Sequence, residues 1–552
     1  MHKEFQLHAL CLASLALCST AYAQTRPDAG QTQRQAQPEP GQKPLAPGAA
    51  LPSLSPITKT APGLEGVAAQ TIEVREVQIS GSTLFSDATL RAAVGDITGK
   101  RSLAELQEAA ARITARYNQA GYLLARAYLP AQRIENGVLQ IAVLEGKLAK
   151  INLGNSSRQS DAQIQPWFSG TLGTPALRRE VLDRKLLLLG DTPGIGPISA
   201  RLAPGAGVGE SEMNLQVQGT PAWNGRLVAN NYGGRYNGVG QLGALVNADS
   251  LMGWGERLSF NGLASEGELR SGQASIDVPL GTDGLRAMLY LGRTTYTLGD
   301  SFAALGASGT ADNQGLALSY PLLRSAQQNL SLRLGAQHQA LHDAVSSTGT
   351  QTEKSSRTAS LRVQGDARDA TGVTLMGAGI SGGTLDIDSP SAAALDAAGA
   401  HTAGSFTKLV WNLERQQSIG DSWVLMASVR GQQASKNLDS SEKLSLGGSS
   451  GVRAYAVGEA VGDQGWLLTL EARYRLNSMV LSAFYDQGHV EVNKEPFLST
   501  PNGQDRSGYG IGVMGTFDKL DWSATVAWRG NQEGTAEPDK NPRVWVQVGW
   551  QF

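Results

Sequence analysis

Residues 544–552 read VWVQVGWQF, with Val544, Val546, Val548, Trp550 and Phe552 alternating with Trp545, Gln547, Gly549 and Gln551. Strict alternation is the mark of a strand with two unlike faces, and an aromatic residue at its end suits a membrane–water interface. The pattern recurs upstream. Leu330, Leu332, Leu334 and Ala336 interleave with Ser331, Arg333, Gly335 and Gln337, and Leu468, Leu470, Ala472 and Tyr474 interleave with Thr469, Glu471, Arg473 and Arg475. Similar runs lie near 257–264, 285–292, 361–366 and 409–414. In a soluble sandwich the charged face would meet water and the apolar face a second sheet; in a membrane barrel the apolar face meets lipid and the charged face lines the lumen. Arginines inside long, glycine-rich strands fit the barrel better, and the reading assigns it residues 221–552. Sixteen strands of roughly ten residues would use about 160 residues and leave about 11 per connection; 14 or 18 strands fit nearly as well.

Composition agrees with that reading. The 552 residues are 41% hydrophobic and only 17% charged, with 66 Gly and a net charge of −2. Low charge and high glycine favour β-structure facing something other than water, and the balance disfavours a basic nucleic-acid binder, so no nucleic-acid partner is expected. Beyond residue 23 no run of 18 or more apolar residues occurs, which excludes a helical membrane protein but not a barrel. Residues 1–23 have a basic start, a short apolar stretch and Ala21-Tyr22-Ala23, the pattern of a cleaved signal peptide. Leu17 before Cys18 argues against a lipoprotein. Both cysteines, Cys11 and Cys18, fall in that segment, so the mature chain, from Gln24, has no disulfide and no thiolate metal site. Secretion without cysteines suits a bacterial envelope protein.

Residues 24–66 carry eight prolines among Gln, Ala and Gly and read as a flexible linker. Its stretch 28–37 lacks proline and is a candidate short helix, provided something packs against it. Next comes an α/β unit, 67–147: a bulged strand through Ile72, Val74, Val77 and Ile79, a short helix capped by Ser86, and a second helix from Ser102 with Glu105 at capping-box spacing. Strands over 122–129 and 138–144 follow, joined across an Asn136-Gly137 turn. The same order repeats with weaker signals over 148–220. There Thr174-Pro175 is expected to cap a helix running through Leu177, Val181, Leu182, Leu186 and Leu189.

Enzyme-like motifs are discounted. Gly510, Gly512 and Gly515 form G-x-G-x-x-G inside a strand-like run with no strand-to-helix turn, and Gly447-Gly448-Ser449-Ser450-Gly451 matches G-x-S-x-G with no helix behind it. His338 and His342 lie on a strand, where a spacing of four lacks the geometry of a helical metal motif. No catalytic activity, cofactor or metal is expected. The segment 447–474, GGSSGVRAYAVGEAVGDQGWLLTLEARY, is different. Val452-Arg453-Ala454-Tyr455 is a poor fit to a solvated loop and suggests one folded inward near 445–465, with Arg453 held by a carboxylate. Asp486 in Phe484-Tyr485-Asp486-Gln487-Gly488 is the favoured partner, on the lumen phase if Leu481, Ala483 and Tyr485 face lipid. The alternative is that both are ordinary surface charges. Glu459, Asp463 and Glu471 are further acidic positions in support.

These motifs resemble a known family. VRAY at 452–455 is similar to the V-R-G-Y/F motif of the inward-folded loop in the outer-membrane protein-translocating superfamily, with Ala454 where many members have Gly. FYDQG at 484–488 is similar to its x-x-D-x-G partner strand, including Gly488. The run GVRAY…GE…GD…GW resembles the TpsB branch, the two-partner secretion transporters, and the α/β units resemble polypeptide-transport-associated (POTRA) domains. The resemblance implies a β-barrel membrane protein of about 16 antiparallel strands preceded by two small α/β POTRA domains. It implies a place in the bacterial outer membrane with the POTRA domains in the periplasm, and the ATP-free export of an unfolded secreted TpsA-type exoprotein: an adhesin, haemolysin or contact-dependent toxin. Outer-membrane lipid and the barrel-assembly machinery are the other implied partners, with Phe552 as the insertion signal. Family members usually plug the pore with an N-terminal helix, for which 28–37 is the segment available here. An outer-membrane barrel assembly factor is the alternative, and a passive porin leaves the α/β units unexplained.

Overall fold

A computed structural model describes residues 26–36, 71–531, 537 and 540–552. The expected signal peptide, 1–23, and residues 37–66 of the expected linker lie outside the described residues.

From residue 223 onward the chain closes into a barrel of sixteen antiparallel strands, beginning with Trp223–Asn230 and ending with Arg543–Gln551. These two pair with each other from Gln547↔Asn230 to Gln551↔Arg226, which leaves no free edge. Val544, Val546, Val548 and Trp550 stand exposed on the outside, whereas Trp545 is buried inside. That inversion identifies a lipid-facing surface and rejects the sandwich, whose apolar face would be covered. The strands Ala307–Arg324, Gln328–Val345 and Thr350–Arg368 are 18, 18 and 19 residues long. A tilted strand needs only about 9–11 residues to cross a bilayer, so this side of the barrel projects well beyond it.

The first α/β unit keeps its dry core between two helices and a sheet. Leu90, Leu106, Ile113, Tyr117, Leu139 and Ile141 are fully or almost fully buried there. The helix Leu103–Gln119 starts on a capping box: Ser102 Oγ accepts from the Glu105 N–H at 3.3 Å, and Glu105 Oε2 accepts from the Ser102 N–H at 2.7 Å. Two expectations need correction. The bulged strand is two strands, Thr71–Val74 and Glu76–Ser80, paired respectively with Gly99–Ser102 and, in parallel, with Val138–Leu144. The chain breaks at Arg75 because the N–H groups of Arg75 and Glu76 both donate to the Gly137 carbonyl, at 2.7 and 3.2 Å. The strand expected over 122–129 is confined to Arg126–Tyr128, since Tyr122 donates its N–H back to Tyr117 and accepts from Ala125 in a turn.

In the second α/β unit the strands Lys147–Ser156, Ile195–Pro204 and Glu210–Gly219 form one sheet. The helix begins at Arg179 rather than at Thr174-Pro175, and ends at Gly190. The intervening residues are used to join the two units: the Ala176 N–H donates to Gly146 O at 3.0 Å, and the Arg179 N–H to Gly121 O at 2.8 Å. Thr174 Oγ1 donates to Gly170 O instead of capping. This unit also holds the barrel's near end. Arg324 makes a bidentate pair with Asp191 (2.7 and 2.8 Å), Lys185 meets Asp283 at 2.6 Å, and Arg184 donates to Pro321 O at 2.6 Å.

In its described part the expected linker 24–66 holds the short helix for which 28–37 was the candidate. Ala29–Ala36 is an α-helix packed inside the barrel wall. Eight residues do not hold a helix alone, so tertiary contacts supply the stability. The Ala29 N–H donates to Asp343 at 2.9 Å, Ser440 Oγ donates to Asp28 at 2.6 Å, Gln339 donates to Gln33, and Lys354 lies 3.6 Å from Asp28. Gly30 is required by close approach, because a Cβ there would lie 2.7 Å from the Cβ of Ser441.

Candidate functional site: an inward loop clamped in the lumen

The segment between the strands Trp423–Ala434 and Gln464–Leu476 folds back into the barrel. Its base is a two-stranded pairing of Leu444–Ser445 with Val461–Gly462. The tip turns sharply, with the Val452 N–H donating to Leu446 O at 2.7 Å. Gly451 permits this turn, since a Cβ there would meet Leu446 O at 1.9 Å.

Arg453 is the clamp. Its Nε and Nη2 donate to the two carboxylate oxygens of Asp486 at 2.8 and 2.9 Å, and its backbone N–H donates to Asp486 Oδ2 at 3.1 Å. The remaining Nη1 donates to Glu471 Oε2 at 2.8 Å. Asp486 is fully buried and Glu471 nearly so. Arg473 donates Nε to the other Glu471 oxygen at 2.7 Å, so two guanidiniums face two carboxylates and the cluster is neutral. Burying these charges is tolerable because they are paired and bonded on several sides. The guanidinium carbon sits 3.3 Å from the centre of the Phe484 ring, and the Arg453 carbonyl accepts from Trp545 Nε1 at 2.7 Å.

The other positions surround the clamp without joining it. Val452 and Tyr455 are fully buried. The Tyr455 hydroxyl donates to Asn531 O at 2.6 Å, and Arg506 and Arg529 lie 5.3 and 5.8 Å from its ring. Ala454 packs against Gly508, where even a hydrogen-sized gap is used: a Cβ at 508 would lie 2.7 Å from that of Ala454. The departure from Gly at 454 is thus matched by a glycine opposite. Gly488 likewise makes room for Leu446, 2.7 Å from the place of its missing Cβ. Glu459 pairs with Arg506 at 3.2 Å rather than with Arg453, and Asp463 pairs with Lys443 at 2.8 Å while accepting the N–H groups of Leu438 and Lys494. Phe552 lies against Gly225 at the seam between the first and last strands.

Sequence reasoning missed several participants. Phe484 stands two residues before Asp486 and so shares its lumen face, an aromatic signal that was available. Thr469, whose hydroxyl donates to Asp486 at 3.0 Å, and Trp545 also fall on lumen phases. Asn531, Arg506 and Lys443 gave no signal, because their partners are distant in the chain.

Comparison with known proteins bears on the family and the fold. The family model described as haemolysin secretion/activation protein ShlB/FhaC/HecB matches residues 209–515, and the POTRA domain of ShlB type matches residues 72–146. The heme/hemopexin transporter protein HuxB of Haemophilus influenzae (strain 86-028NP) is 28% identical over 404 residues, 71% of each chain. The outer membrane transporter CdiB of Dickeya dadantii (strain 3937) is 23% identical over 494 residues, 87% of this chain and 86% of its own. The solved structure of CdiB from Escherichia coli superposes with a TM-score of 0.72 at 20% identity, covering 96% of this chain and 100% of that one, a likeness of fold. With a family model spanning more than half its length, a POTRA unit in front and a sixteen-stranded barrel behind, the chain belongs to the ShlB/FhaC/HecB family of two-partner secretion outer-membrane transporters.

Proposed function

We propose that the protein exports an unfolded exoprotein through its own lumen, with the two α/β units in the periplasm receiving the client and no nucleotide consumed. The observation that carries this reading is the nature of the lumen's contents. The inward loop and the helix Ala29–Ala36 are held to the wall by hydrogen bonds and ion pairs, and the helix also by Ser440 of the inward segment. Such contacts are directional, and water can replace them one by one, so the occupants are able to leave without unfolding the barrel. A short edge strand in either α/β unit offers backbone groups to an extended client by strand addition. Folding of the client outside supplies direction. On this reading no side chain breaks a covalent bond, Arg453 holds the loop, and the barrel-assembly machinery inserts the chain by way of Phe552.

The test is reconstitution. Full-length protein in proteoliposomes, supplied with a urea-unfolded two-partner exoprotein and no nucleotide, should deliver protease-protected client. Transport that requires ATP, or insertion of other barrels in place of client transport, would overturn the reading.

A further inference from the structure

The outer wall of the barrel carries a groove of about 840 Å3 across the seam between the last and first strands. Two adjacent rows of outward side chains build it, each one residue per strand. One runs Trp550, Leu227, Ala244, Gly262, Gly272, Arg293 in direct cross-strand register. The other runs Ala229, Leu242, Ala264, Arg270, Thr295. Large side chains at the seam thus give way to a floor of Ala and Gly, and both rows then reach an arginine. Beyond the floor the wall resumes with Leu289, Leu291 and Leu316, all exposed. Phe260 leans over the floor, its ring 3.1 Å from the place a Cβ would take on Gly262.

The arginines are unusual for a surface in contact with lipid. Arg270 is pinned at the rim by Nη1, which donates to the carbonyl oxygens of Ser265 and Leu269 at 2.8 and 2.9 Å; neither acceptor carries charge. Arg293 makes a bidentate pair with Asp312 at 2.6 and 2.8 Å. Arg270 and Arg293 are the charged side chains that line the apolar trough, and among the described residues only Arg293 has a carboxylate bonded to it. An outward arginine is costly at the bilayer midplane and nearly free near the interface. Arg270 is the first residue of Arg270–Pro279, at the end of the barrel away from the contact of Lys185 with Asp283, and so lies near the far interface.

We propose that this groove binds a phosphorylated, multiply acylated glycolipid of the outer leaflet, one acyl chain lying along the Ala244-Gly262-Gly272 floor and a phosphate meeting Arg270 and Arg293. This rests on the orientation given under Proposed function, which puts the arginine end at the cell surface. Guanidinium is the cation best shaped for phosphate oxygens. The lipid spans the seam, where five residue pairs join the last strand to the first, against nine between the next two strands.

Native mass spectrometry of the full-length mature protein in detergent, with added bis-phosphorylated lipid A, its dephosphorylated form or phosphatidylglycerol, tests the site. One lipid A per barrel is expected, bound about fivefold more tightly than either other lipid. Arg270→Gln should remove that preference. Gly262→Leu, which fills the trough and leaves both arginines in place, should weaken all acylated ligands alike. Heat-modifiable migration checks that each variant still closes its barrel. Equal binding of phosphatidylglycerol, or unchanged lipid A binding by both variants, would overturn the proposal. Orientation is tested separately with Thr348→Cys, a lone thiol in a mature chain whose native cysteines lie in 1–23, and a membrane-impermeant maleimide on intact cells. Labelling from outside supports the shared orientation, whereas labelling only after lysis overturns that orientation and this proposal with it.

Discussion

The core of the first α/β unit and the inward loop are both buried, yet they are held by different forces. In the former, Leu106, Ile113, Leu139 and Ile141 make a core with almost no polar content. In the latter, a small apolar cluster of Leu446, Val452, Tyr455 and Phe484 is surrounded by Arg453, Asp486, Glu471, Glu459 and Arg506. Burial of apolar area is non-directional and fails all at once when the unit opens. Paired charges fix one geometry and lose it if either partner changes, while water can take over the bonds one by one. The difference teaches that the first unit is built to persist as a whole, whereas the loop is held in one place by bonds that water can replace.

Four changes probe that contrast, the largest effect first. Arg453→Glu places a third carboxylate beside Asp486 and Glu471; removing one partner of a buried pair already costs about 3–5 kcal/mol. Secretion of a cognate exoprotein should fall to background while heat-modifiable migration shows the barrel inserted. Unchanged secretion would contradict the role given to the clamp. Leu106→Ala empties part of the first unit's core and should cost about 2–5 kcal/mol. Its signature is different: tryptic cleavage within 71–146 should appear at lower urea, with the barrel fragment unaffected.

Tyr455→Phe keeps the ring and deletes the hydroxyl's bond to Asn531. A loss of about 0.5–1.5 kcal/mol is expected, seen as slightly faster hydrogen exchange across 446–460 with secretion retained. The smallest effect is a pH dependence of the first unit. Burial alone would raise the Glu145 carboxyl, but hydrogen bonds from Thr83, Leu84 and Tyr117 outweigh it and hold the group below its ordinary value of 4.5. A carboxyl depressed in the folded state contributes stability that is fully present above its unfolded pKa and is lost as pH falls through the folded one. Acid unfolding of this unit should therefore sharpen below about pH 4.5, and Glu145→Gln should flatten that limb. Tyr117 in the same network, pushed up to about 12 by burial and then by Glu145, stays neutral throughout this range.

Much of this architecture was legible because period and composition act locally. Alternation in 330–337, 468–475 and 544–552 betrayed strands with unlike faces, and Ser102 with Glu105 marked a helix start. Arg453 and Asp486 were legible as a pair because an arginine in an apolar tetrad needs an acid, and only a lumen-phase acid can reach it. What failed depended on distant partners. Thr174-Pro175 has every local mark of a helix start, yet Gly121 and Gly146 from the preceding unit capture the backbone there. Thr71–Val74 and Glu76–Ser80 read as one strand until Gly137 divides them. The helix Ala29–Ala36 was legible only as a proline-free candidate over 28–37, too short to stand alone; its packing was not, because Asp343, Ser440 and Gln339, more than 300 residues away in sequence, form its receptacle.

The central claim is that the loop bearing Arg453 lies docked against the inner wall of a closed barrel. A photo-activatable phenylalanine analogue at position 455, irradiated in intact cells and mapped by mass spectrometry, tests it directly. The account predicts a cross-link within the barrel to the segment around Ser507 and Asn531. Adducts confined to solvent or to extracellular neighbours, with none to that segment, would contradict it.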